Sequence, residues 1–82
     1  MSSNLDRLDE IISKVLLVRK DEISDNLRRK EHEAWDSMAH VVLVSEIESE
    51  FGVFFQDEEV VEILTVGDLR KTLAKKLDGQ NV

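Results

Sequence analysis

Apolar residues recur at three- and four-residue intervals in several stretches of the chain, and the charged residues fall between or opposite them. Leu5, Leu8, Ile11, Ile12, Val15 and Leu16 form the first such stripe, with Asp6, Arg7, Asp9, Glu10 and Lys14 on the other face. This pattern predicts an amphipathic helix over about residues 4–18, opened by the capping-box spacing of Ser3 and Asp6. From Arg19 to Glu33 the periodicity stops, leaving only Ile23 and Leu27 as apolar anchors. A loop this long is expected to contain a short turn near Asp25 to Arg29. It acts either as a connector whose two apolar residues plug the core or as a binding element.

The longest patterned run follows, from Ser37 to Phe51, with Asp36 as its predicted N-cap and Gly52 as its left-handed C-terminal cap. At 3.6 residues per turn, Val41, Leu43, Val44, Ile47 and Phe51 gather on a predicted core face. Met38 and Val42 fall opposite, with Ala39, Ser45, Glu46 and Ser49. They read either as scattered exposed apolar residues, which are ordinary, or as a docking face one turn from Ser37. Val53, Phe54 and Phe55 make a short apolar loop. Asp57 is expected to cap a short helix over about 58–64, with Val60, Val61, Ile63 and Leu64 facing inward. Thr65 and Asp68 repeat the capping-box spacing ahead of a last helix over about 66–77, striped by Val66, Leu69, Leu73 and Leu77 and followed by a frayed polar tail from Gly79. The expectation is one all-α domain spanning residues 1–82: a four-helix bundle of three main helices, one short helix and a long first loop.

Composition narrows the function classes. A chain of 82 residues without cysteine draws its stability from helix packing, with neither disulfides nor thiolate metal sites. No apolar run approaches a membrane span, and the N-terminus lacks the layout of a signal peptide, so a soluble, cytoplasmic, monomeric protein is expected. A net charge of −7 argues against nucleic acid as a partner. The charge is also segregated: from Glu31 through Leu69 there are eleven carboxylates and no Lys or Arg. Such a surface either keeps a small domain soluble or steers basic partner surfaces toward it.

Near the start of that acidic window lies Trp35-Asp36-Ser37-Met38. With Asp36 as cap, Ser37 occupies the first turn, its hydroxyl exposed at the helix's positive end, where an attached anion, a phosphate above all, is favoured. Pairing Ser37 with His40 and Asp36 as a hydrolase is disfavoured, because adjacent Asp and Ser side chains diverge around a helix start and no oxyanion hole is evident. His40 is better read as a partly buried, hydrogen-bonded residue. Trp35 either packs over the end of the bundle or contacts partners. Asp57, Glu58, Glu59 and Glu62 lack calcium-loop spacing, so no metal site is expected.

Asp36-Ser37-Met38 opening an apolar helix, the Glu46-Ile47-Glu48-Ser49-Glu50-Phe51-Gly52-Val53 run closing it, Asp57-Glu58-Glu59 and Thr65-Val66-Gly67-Asp68-Leu69 together resemble the acyl carrier proteins. The resemblance covers nearly the whole chain and is strongest from Trp35 to Leu69. It implies that Ser37, within a motif that includes Asp36, is the attachment site of 4′-phosphopantetheine, transferred from coenzyme A by a magnesium-dependent phosphopantetheinyl transferase. It also implies a carrier that is a substrate of enzymes, holding acyl or aminoacyl groups as thioesters. Its partners would be that transferase, an acyl- or aminoacyl-loading ligase, and acyltransferase or synthase enzymes. Met38, Ala39, Val42, Glu46 and Ser49, with Glu58 and Glu59 on the short helix, are the expected docking residues.

Carriers of fatty-acid synthesis usually place acidic residues just after the motif. Here Ala39, His40 and Val42 stand there, and Gln56 stands where a proline is frequent. The Trp-Asp-Ser-Met-Ala-His stretch resembles stand-alone carriers of polyketide, nonribosomal peptide or sugar-modifying pathways more than those of primary fatty-acid synthesis, which is the alternative pathway. From a different class, a small acidic helical adaptor that binds another protein through its second helix, with Ser37 as a simple cap, also fits the pattern. The uninterrupted acidic window implies self-repulsion at low ionic strength, so magnesium, calcium or sodium chloride should raise the melting temperature. Circular-dichroism melts over a salt series check this, and a midpoint indifferent to salt would refute it.

Overall fold

Helices form where the apolar repeat is regular, and the chain is all-α. The computed structural model describes residues 4–80, with four helices: α1 (Asn4–Leu16), α2 (Ser37–Phe51), α3 (Asp57–Glu62) and α4 (Val66–Gln80). Two short 3-10 turns, Lys20–Glu22 and Arg29–Glu31, punctuate the long first connection. No strand occurs among the described residues; one isolated antiparallel bridge joins Arg28 to Thr65. No helix among them is long and apolar enough to cross a membrane.

The core is assembled from one stripe of each main helix. Leu8, Ile12 and Leu16 of α1 meet Leu43, Val44 and Ile47 of α2 and Val66, Leu69 and Leu73 of α4, while Ile63, Trp35 and Phe55 close the ends from the connections. Ile23 and Leu27 pack against this cluster from the long loop, as their isolation in a charged segment predicts. Helix α1 stops two residues short of the expected boundary. Leu17 turns into the left-handed region at φ 57°, and Val18 N–H donates to the Ser13 carbonyl. This is a Schellman closure made by leucine instead of glycine, a conformation that costs a non-glycine residue about 1 kcal/mol. Helix α2 has the expected bounds, and its cap, Gly52, is left-handed at φ 64°.

Several inward assignments are corrected. Val41 is 62% exposed and not part of the core face; the buried set on α2 is His40, Leu43, Val44 and Ile47. Helix α2 is apolar around most of its circumference, so the repeat alone leaves its rotation poorly fixed; with His40, Leu43, Val44 and Ile47 inward, Val41 turns to solvent. Leu5, Val61 and Leu64 are likewise exposed rather than inward-facing. Leu5 lies in the first turn of α1, and α3 is too short to bury more than one side: only its half-buried Val60, with Ile63 just past its end, packs on the core. Helix α3 spans residues 57–62 rather than 58–64, with Gln56 in place of Asp57 at the cap position; the Glu59 carboxylate accepts Gln56 N–H at 2.9 Å. Helix α4 runs through Gly79 to Gln80 instead of fraying at Gly79. The Ser3 half of the expected first capping box lies outside the described residues.

The long loop is tied down by backbone bonds at the α3–α4 junction. Arg29 N–H donates to the Leu64 carbonyl at 2.9 Å, Val66 N–H to Leu27 at 3.0 Å and Gly67 N–H to Asp25 at 3.1 Å. The last two satisfy amide groups that the first turn of α4 would otherwise leave unpaired. A Cβ at Gly67 would sit 3.2 Å from both Cβ and carbonyl oxygen of Asp25, so any other residue here would push the loop away by a few tenths of an ångström. Arg70 completes the tie, reaching Asp9 of α1 at 2.8 Å and Asp25 of the loop at 2.6 Å. Arg7 joins α1 to Glu50 at 3.0 Å and lies over the Phe51 ring.

The corrected rotation of α2 is open to a direct comparison. Leu43→Ala should cost about 2–5 kcal/mol in urea denaturation through lost contacts and a cavity. Val41→Ala should change stability by less than about 0.5 kcal/mol, as exposed positions do. Comparable losses at both positions would restore Val41 to the core.

Candidate functional site

The start of α2 is built by its cap. Asp36 is extended, at φ −86° and ψ −175°, and its Oδ1 accepts the Ala39 N–H at 2.8 Å, while its carbonyl accepts His40 N–H at 2.9 Å. These bonds fix Ser37 as the first helical residue. It is exposed, and its hydroxyl makes no hydrogen bond to another described residue. An unengaged alcohol is thereby presented at the positive end of a 15-residue helix.

Beneath it, Trp35 and His40 form a buried pair. Trp35 is 1% exposed and His40 4%, and the indole Nε1–H donates to His40 Nδ1 at 2.9 Å. Indole nitrogen can only donate, so Nδ1 is the acceptor and the proton of neutral His40 sits on Nε2. Nε2–H then donates to the Val60 carbonyl of α3 at 2.7 Å. Both ring nitrogens are occupied, and the Ser37–His40 pairing that a hydrolase would need is not made. Trp35 is core rather than partner surface.

Two open grooves flank the start of α2, and Ser37 lines one of them. One, of about 540 Å³, runs between α2 and α3; Arg29, Lys30, Trp35, Asp36, Ser37, His40, Val41, Val60 and Val61 line it. The other, of about 390 Å³, lies toward α1 and gathers four of the expected docking residues, Met38, Ala39, Val42 and Glu46, beside Lys14, Val15 and Ala34. Ser49 continues that surface with Val41 and Ser45. Glu58 and Glu59 stand apart on α3. Glu58 is exposed, whereas Glu59 is held by Lys76 of α4 at 2.8 Å. That Lys76 bond, with the Gln56 N–H, draws the Glu59 pKa down from its ordinary value.

Sequence reasoning missed the wall of the α2–α3 groove. The apolar pattern puts Arg29 and Lys30 in a loop and Val41 and Val61 in the core, whereas all four line this groove. The available signal was the Arg28-Arg29-Lys30 cluster, three consecutive cations at the edge of the acidic window. No family model matches the chain.

Burial pushes the His40 pKa below its ordinary 6.5, the Val60 bond opposes this, and the nearby Arg29 charge adds to the lowering. Protonation would also set an Nδ1–H against the Trp35 N–H. Well above pH 6.5 neither folded nor unfolded His40 binds a proton, so it contributes no slope. Below pH 6.5 the unfolded chain takes up the proton first, and stability falls until the depressed folded pKa is passed. His40→Gln can keep both hydrogen bonds without titrating. Melts between pH 8 and 5.5 should show stability falling more steeply with acid in the native protein than in His40→Gln. His32 is common to both proteins and cancels in the difference; parallel curves would remove His40 from the account.

Proposed function

We propose that this chain is a carrier protein, with Ser37 the attachment point of a 4′-phosphopantetheine arm. The observation that carries the reading is the Ser37 hydroxyl itself: exposed, unengaged, and presented by the Asp36 cap at the opening of a long helix. The surroundings suit the group. A phosphodiester there meets the helix's positive end, and the α2–α3 groove offers an apolar wall of Val41, Val60 and Val61 along which a flexible arm can lie. When attached, the arm supplies the thiol that holds acyl or aminoacyl cargo as a thioester.

In this reading the protein is a substrate and shuttle. Its partners are a phosphopantetheinyl transferase, an acyl- or aminoacyl-loading ligase, and acyltransferases or synthases, met as a cytoplasmic monomer. The acidic surface attracts basic enzyme faces, while Met38, Val41 and Val42, exposed along α2, offer an apolar contact beside Ser37. Ala39, His40 and Val42 after the motif favour a specialised pathway of polyketide, nonribosomal peptide or sugar-modifying type over primary fatty-acid synthesis. The same exposed residues of α2 also suit a helical adaptor without an arm, and one experiment separates the two. Incubation with coenzyme A, magnesium and a broad-specificity phosphopantetheinyl transferase should add one phosphopantetheine to the intact mass, and Ser37→Ala should abolish the addition. An unchanged native mass, or a modified Ser37→Ala protein, sinks the carrier reading.

A further inference from the structure

The α2–α3 groove contains a feature that a tethering serine does not require. On a chain of net charge −7, two cations, Arg29 and Lys30, line the groove that Ser37 borders. Several basic side chains are paired with carboxylates: Arg70 meets Asp9 and Asp25, Lys76 meets Glu59, Arg7 meets Glu50, and exposed Arg28 reaches Glu31 at 3.7 Å. Among the described residues neither the Arg29 nor the Lys30 head group forms an ion pair or a hydrogen bond with a carboxylate. Glu31, the nearest carboxylate in sequence, is turned to Arg28. Asp36, the one anion lining the groove, spends Oδ1 on the Ala39 amide.

These cations are also held in place. The 3-10 turn Arg29–Glu31 is anchored by Arg29 N–H on the Leu64 carbonyl and by the Arg28–Thr65 bridge. Arg29 is half-buried, and its charge is felt at His40, one helical turn from Ser37 on the same groove wall. His40 is itself neutral and fully bonded, so the positive charge of the groove belongs to Arg29 and Lys30.

We infer that Arg29 and Lys30 form a cationic seat for the phosphodiester on Ser37, fixing the base of the arm in the α2–α3 groove rather than leaving it free in solvent. A guanidinium matches phosphate oxygens in a fork, and a lysine beside it adds a mobile point charge. The two groups therefore set the direction in which the arm leaves the protein. Without them, the acidic field of residues 31–69 would repel the new negative charge. The inference rests on the carrier reading, since the phosphodiester must first be attached.

The test uses the holo protein and phosphorus NMR. Holo protein is prepared enzymatically and its mass verified; no added mass sinks the carrier reading and this one together. With the arm attached, the single phosphodiester resonance of the native protein should relax at the rate of the tumbling domain. In Arg29→Ala/Lys30→Ala it should sharpen and move toward the position of free 4′-phosphopantetheine. Lys71→Ala/Lys75→Ala, which removes equal charge from α4, should leave the signal as in the native protein. Should the groove variant fold poorly, a sodium chloride titration of native holo protein gives the same readout, because screening releases an exposed charge contact. A phosphodiester signal unchanged by both the substitutions and salt overturns the cationic seat while leaving the carrier reading standing.

Discussion

The hydrogen bonds of His40 connect three parts of the chain that share few other contacts. The indole of Trp35 comes from the loop, the imidazole from α2 and the carbonyl of Val60 from α3. In a core this small, a buried polar ring is tolerated because both nitrogens are satisfied, and removing either partner would leave a buried group unpaired at a cost of about 1–3 kcal/mol. The pairing also determines how α2 is rotated. With His40 inward, Leu43, Val44 and Ile47 lie in the core, Val41 turns outward, and Ser37 stands exposed at the groove. The geometry of the candidate site is thus coupled to the bonding of one buried imidazole.

A second set of constraints comes from the long loop. Carbonyls of Asp25 and Leu27 satisfy the first amides of α4, and Arg29 is pinned to Leu64. The loop therefore belongs to the framework, and the same bonds that close the helix bundle deliver Arg29 and Lys30 to the groove. Arg70 and Lys76 extend this pattern from α4, tying it to α1, the loop and α3 through carboxylates that would otherwise add to the repulsion.

Much of this was legible in the sequence. The all-α class, the bounds of α2, the Asp36 and Gly52 caps, the buried stripe of α4 and the anchoring roles of Ile23 and Leu27 follow from spacing and local chemistry. What was not legible depends on contacts distant in sequence. The rotation of α2 is decided by Trp35 and Val60, not by its own apolar repeat. The early end of α1 rests on a left-handed Leu17 that no propensity suggests. At the site, Ser37 and its cap were readable because they are local, and Met38, Ala39, Val42 and Glu46 do gather on one surface. The cationic wall was not, because Arg29 comes to line the same groove as Ser37 only once the loop is strapped to the α3–α4 junction.

The pair of Trp35 and His40 has a practical corollary. The chain contains a single tryptophan, and its indole N–H is bonded to the residue that links α2 to α3. Any displacement of α3 that disturbs the Val60 carbonyl is passed through one imidazole to one chromophore. The protein thus has a built-in optical probe of the α2–α3 interface, at the wall of the groove beside Ser37, with no label and no second emitter to confuse the signal.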